Sequence, residues 1–139
     1  ILSENKTIAM IGVSKDSSKP STIVMKYMQK YGYKVIPINP SAKGEKILGE
    51  EVFGNLDEIK IPIDIVDVFR PSKEAVEIAK DTVKIGAKVL WLQLGISSNE
   101  AKTIVETNNI DYVENRCTKM EYQKIFLKKV QAFPVLINR

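Results

Sequence analysis

Apolar positions along this chain fall into short continuous runs, and amphipathic stretches separate them. Residues 7–13, Thr-Ile-Ala-Met-Ile-Gly-Val, form an unbroken run of strand length, the pattern of a strand covered on both faces. A polar loop from Ser14 to Pro20 follows. From Ser21 the apolar residues Ile23, Val24, Tyr27, Met28 and Tyr31 keep helical spacing, and Gly32 is placed to end the helix. Tyr33 to Ile38 predicts a second strand, stopped by Asn39-Pro40. A turn-rich connection reaches Gly49, with a short strand expected near Val52-Phe53, and Ile63 to Phe69 is the next strand. Pro71-Ser72 opens a helix with Ala75, Val76, Ala79 and Val83 on one face and Gly86 at its end. Lys88 to Leu92 is a strand. Ser97 with Glu100 has capping-box spacing for a helix to about Thr107, which Asn108-Asn109 ends. Ile110 to Glu114 is a further strand, and Thr118 with Glu121 supplies another capping box. Four alternations of strand and helix with short connections predict an open, doubly wound, mainly parallel sheet with helices on both faces. No repeat, linker or low-complexity tract divides residues 1–139.

Composition narrows the chemistry more than the fold. At 139 residues, 44% apolar and 27% charged, the chain has the make-up of one ordinary globular domain. No apolar stretch approaches the ~20 residues that span a bilayer. The chain opens on Ile1, and a few residues are expected ahead of it. A single cysteine, Cys117, forbids an intramolecular disulfide and suits a reducing cytoplasm. There is no histidine, which removes His-based triads, His-ligated zinc and the commonest general base at neutral pH. The net charge of +4 comes from 18 lysines and three arginines scattered along the chain. The densest cluster, Lys124 with Lys128 and Lys129, reads as a solvated helix face, which argues against a nucleic-acid partner.

In sheets of this kind ligands bind beyond the carboxyl ends of the strands, so function is sought in the strand-to-helix turns. The first turn keeps one glycine, Gly12, but has Ser14 and Ser17 where a dinucleotide fingerprint has glycines. A loop that ends at a helix N-terminus still offers N–H groups and a positive dipole end to phosphate, and Lys15 and Lys19 stand beside it. The bland alternative is a Gly-containing turn before a Ser-capped helix. The second strand ends Ile36-Pro-Ile-Asn-Pro40 with no acid to grip a ribose, and no Walker phosphate loop occurs. Lys19 and Lys43 are candidates for an anion at that end. In the third turn, Phe69-Arg70 places an aromatic ring and a planar cation at a strand end; the competing reading pairs Arg70 with Asp67. Trp91, inside an apolar strand, reads as core rather than as a site aromatic.

Taken in order, Ile11-Gly-Val-Ser14, Lys19-Pro-Ser21, Gly32-Tyr33, Val35-Ile-Pro-Ile-Asn-Pro40, Ile47-Leu-Gly49, Val66-Asp-Val-Phe-Arg70, Gly86-Ala-Lys88, Trp91-Leu-Gln93, Gly95-Ile96 and Arg116-Cys117 resemble the single-domain CoA-binding protein family. That family is similar to the CoA-binding domain of the succinyl-CoA synthetase alpha subunit and of ADP-forming acyl-CoA synthetases. The resemblance runs from about Thr7 to Phe126, leaving 127–139 as a tail. Val13 replaces a frequent Ala and Lys19 a frequent Arg, so Lys19 would make a point contact rather than a fork.

The resemblance implies a Rossmann-like domain holding coenzyme A or an acyl-CoA across its strand ends. By position, Gly12, Val13 and Ser14 would approach the pyrophosphate, and Lys19 and Ser21 the phosphate oxygens. Asn39 and Pro40 would border the adenosine, Phe69 and Arg70 would line the nucleotide site, and Gln93 and Gly95 would flank the pantetheine. Arg116 and Cys117 close the set. Cys117, between Arg116 and a helix start, is either a thiolate able to form a mixed disulfide with CoA or an inert packing thiol. The family's synthetases use a phosphohistidine in another domain, so this chain is expected to be a cytoplasmic binding module without catalysis. No metal, nucleic acid or membrane partner is expected, and a homodimer is left open. The alternatives are an NAD(P)-type or redox-sensing domain and one subunit of a split acyl-CoA synthetase.

Overall fold

Continuous apolar runs leave a strand no polar face to turn to water, so they end up between two layers of helices. A computed structural model describes residues 1–127 and has this arrangement. The elements are β1 (Thr7–Ile11), α1 (Pro20–Lys30), β2 (Lys34–Ile38), the two-residue strands β3 (Lys46–Ile47) and β4 (Glu50–Glu51), β5 (Ile65–Val68), α2 (Ala75–Ile85), β6 (Val89–Leu92), α3 (Asn99–Thr107), β7 (Asp111–Val113) and α4 (Thr118–Phe126). Five strands form one parallel sheet in the order β2-β1-β5-β6-β7. Lys128, Lys129 and all of the tail except Leu127 lie outside the described residues.

Side-chain alternation sorts the core into two layers. Ala9, Val66 and Leu90 meet Ala75, Ile78 and Ala79 of α2 and Ala101 and Val105 of α3. Ile8, Met10, Ile65 and Trp91 meet Val24, Met25 and Met28 of α1, with Tyr122 of α4 against them. Trp91 is core, 3% exposed, and its indole Nε1 donates to the Arg116 carbonyl at 2.7 Å. Gly86 ends α2 in the left-handed conformation at φ 71°, as expected of its position.

Several boundaries differ from the sequence reading. The expected strand at Val52-Phe53 is instead the β3–β4 hairpin, with Phe53 making a single bridge to Ile38. Helix α1 is not capped by a serine side chain: Lys19 is its N-cap, Pro20 fixes its first turn, and the Ser21 hydroxyl accepts from the Ser14 amide at 3.1 Å. A 3-10 turn, Ser72–Glu74, precedes α2. The cap of α3 is Ser98 rather than Ser97, with its hydroxyl accepting from the Ala101 amide at 3.1 Å. Ser98→Ala should therefore cost about 1 kcal/mol in chemical denaturation, and Ser97→Ala much less. Thr118 does not cap α4; its hydroxyl turns into the core instead.

Candidate functional site

The strand order reverses between β1 and β5, and a groove of about 490 Å³ opens at their carboxyl ends. That volume is ordinary for a small-molecule site. One wall is apolar, from Ile11, Ile38, Leu56 and Ile78; Gly12, Ser14, Asn39, Pro40, Arg70, Glu74 and Asp81 supply most of the polar edge. Gly12 has φ +92°, and a Cβ there would lie 3.0 Å from Arg70 Cδ and 3.1 Å from the Phe69 carbonyl. The missing side chain is what lets the Arg70 stem cross the β1–α1 turn. The Arg70 fork closes on Glu74, through Nη2 at 2.7 Å and Nε at 3.1 Å, and not on Asp67. Those hydrogen bonds hold the Glu74 carboxyl below its usual range. Burial, with Asp57 nearby, raises that of Asp81.

Of the residues singled out in the sequence, Gly12, Ser14, Asn39, Pro40 and Arg70 meet in this groove. The Asn39 side chain is already committed: its amide donates to the Val13 carbonyl at 2.9 Å and its oxygen accepts from the Ser41 amide. It braces the first turn against β2. The Val13 side chain is fully buried, so only its backbone reaches this region, and Ser21 is buried beneath Ser14. Lys19 is exposed at the mouth of α1. Lys43 bonds Glu58 at 2.7 Å, and Phe69 packs against the α1-side core. Helix α1 has no acid in its first turn, whereas α2, α3 and α4 carry Glu77, Glu100 and Glu121 there, so its positive end is not offset by its own side chains.

Gln93, Gly95, Arg116 and Cys117 lie elsewhere. The Gln93 side chain does not flank an open path: it is 3% exposed and its Nε2 donates to Asp67 Oδ1 at 2.6 Å and to Thr118 Oγ1 at 3.1 Å. Thr118 Oγ1 in turn donates to Asp67 Oδ2 at 3.2 Å, closing a buried ring. Burial outweighs these bonds and pushes the Asp67 carboxyl up to about 7. Gly95 donates its amide to Asn115 Oδ1 at 2.7 Å. Arg116 and Cys117 line a second hollow of about 680 Å³ between α3 and α4, with Leu94 and Met120 on its rim. Cys117 is half-buried and touches the α1-side core, and Arg116 leans toward Glu121 at 3.6 Å.

The groove residues that sequence reasoning missed include Leu56, Asn55, Glu74, Ile78 and Asp81. Glu74, Ile78 and Asp81 recur at i, i+4 and i+7, one helical face, and that spacing was the available signal. Leu56 and Asn55 sit in an irregular connection with no periodic mark.

A sequence model of the CoA binding domain matches residues 6–123. The chain belongs to that family. As a CoA binding domain it is 34% identical to the uncharacterized protein YneT of Bacillus subtilis over 122 residues, 88% of this chain and 89% of that one. A solved Thermus thermophilus structure, cell-free ID.343, superposes with a TM-score of 0.86 at 37% identity, covering 90% of this chain and 93% of the other. The ADP-forming acetate–CoA ligase of Methanocaldococcus jannaschii is 26% identical over 124 residues, which is 84% of this domain but 17% of the ligase. The groove fits what the family name implies. An apolar wall suits a flat base, and the Gly12 turn, Arg70 and the positive end of α1 suit phosphate. Among the described residues this domain has no cluster of three or more His, Cys, Asp or Glu able to hold a metal, and no helix long and apolar enough to cross a membrane.

Proposed function

We propose that this chain binds coenzyme A or an acyl-CoA at the β1/β5 groove, as a non-catalytic carrier or sensor in the cytoplasm. The observation that carries the reading is Gly12 packed against Arg70 at the point where the strand order reverses. Gly12, Ser14, Lys19 and Arg70 would hold the phosphates, and the apolar wall of Ile38, Leu56 and Ile78 would cover the adenosine. At the end of β2, where an NAD-binding domain places an acid, stands Asn39 with its side chain occupied, so CoA should bind far better than NAD. The absence of histidine removes the phosphohistidine route. The match to 17% of an acetate–CoA ligase favours a second reading, one subunit of a split synthetase whose remaining parts are separate chains.

Calorimetry with CoA and NAD tests the first reading, and equal affinities would sink it. Arg70→Ala should weaken CoA binding by roughly 1.5–3 kcal/mol, the worth of hydrogen bonds to a charged group. An unchanged dissociation constant in a folded variant would make Arg70 a structural residue.

A further inference from the structure

Three cations on the side of the sheet that carries the groove each face a carboxylate. Arg70 holds Glu74 at 2.7 Å, Lys43 holds Glu58 at 2.7 Å, and Lys15 faces Glu45 at 3.3 Å. Glu58 is tied further by accepting from the Gly54 amide at 2.9 Å. Only the Arg70–Glu74 pair has both partners lining the groove itself. Its position is fixed from below, because the Arg70 stem rests on Gly12. An acid that occupies the fork of an anion-binding arginine works against every anion that enters.

We infer that Glu74 is an affinity-setting residue of the groove, a charge latch on Arg70 that every entering anion has to displace. The inference rests on the CoA reading for the natural ligand, though its physics needs only an anion. Arg70 and Glu74 side chains are 47% and 37% exposed, so the pair is weak enough to exchange partners. A phosphate can take the same two-pronged geometry from the guanidinium. Glu74 remains in the groove after release, so the entering group meets its repulsion. A ligand with several charges also reaches the end of α1 and nearby lysines such as Lys19, and gains on balance.

The test compares the wild type with Glu74→Gln and with Glu77→Gln, which makes the same charge change on α2 at a residue that does not line the groove. Each is titrated at fixed ionic strength with CoA and with inorganic pyrophosphate, following the Gly12 and Ser14 amide resonances. Glu74→Gln should tighten both ligands by roughly fivefold, about the strength of one exposed ion pair, with Glu77→Gln close to wild type. Equal affinities in all three proteins, equal tightening in both variants, or no pyrophosphate binding by any of them would overturn the latch. Tightening of pyrophosphate by Glu74→Gln without CoA binding by any of the proteins would uphold the latch and remove the CoA reading.

Discussion

Asp67→Asn should make the protein more stable at pH 8, by roughly 2–4 kcal/mol. Asp67 is fully buried at the centre of the sheet, and burial raises its carboxyl from an ordinary 3.8 to about 7. A folded state that holds a proton more tightly than the unfolded chain is favoured at low pH. The contribution of Asp67 is therefore complete below pH 3.8 and is lost as the pH rises to about 7. The Asn variant removes the buried charge: its oxygen can accept from Gln93 and its amide can donate to Thr118, at the cost of the acceptor that Asp67 gives the Thr118 hydroxyl. Urea denaturation between pH 4 and 8 checks this. Wild-type stability should fall over that range relative to the variant, and parallel curves would show that Asp67 titrates as an ordinary carboxylate. At lower pH the half-buried Glu58 and Glu74, both held below the usual range by their cationic partners, act in the opposite direction.

Gly12→Ala should be the most damaging small substitution at the groove. A Cβ would require a non-glycine residue at φ +92° and would press on the Phe69 backbone oxygen at 3.1 Å, which cannot move without disturbing the exit from β5. Strain and overlap together should cost roughly 2–4 kcal/mol and push Arg70 off Glu74. Gly95→Ala is the matched control, with φ +81° but nothing within 4 Å of its Cβ, so it should lose only the backbone part, about 1 kcal/mol. Thermal melts of the two variants separate strain from overlap. Similar losses in both would mean that the Arg70 contact is not a constraint.

The strands were legible because buried parallel strands are written as apolar runs, and Gly86 marked its helix end because a left-handed residue without a Cβ is cheap there. Cap identity was not. Ser97 and Ser98 are both suitable caps by residue type, and the choice falls to a distant contact: the Tyr112 hydroxyl accepts from the Ser98 amide at 3.1 Å while giving its own proton to Glu114 at 2.7 Å. Thr118 has the spacing of a cap, but a buried carboxylate 51 positions earlier takes its hydroxyl. The partner of Arg70 could have been narrowed, because three residues apart in an extended segment point to opposite faces, whereas Glu74 lies one helical turn on. Gln93, read as a ligand contact, is a core residue because a hydrogen-bond demand inside the sheet outbids the rim, and nothing local to residue 93 signals that demand.

The connection from β2 to β5 carries no α-helix, and its shape is set largely by main-chain pairs. Asn39 N to Phe53 O at 2.9 Å, Phe53 N to Pro37 O at 3.1 Å, and Gly44 N to Val52 O at 2.9 Å hold it beside the groove. A rim stitched together through peptide groups is indifferent to most of its side chains. With Ile47 kept in the core and Gly44 and Gly49 kept at their positive φ, the exposed positions Lys43, Glu45, Lys46 and Glu51 can be rewritten while the ligand cradle stays in register, which makes them the natural place to graft new recognition onto an unchanged binding module.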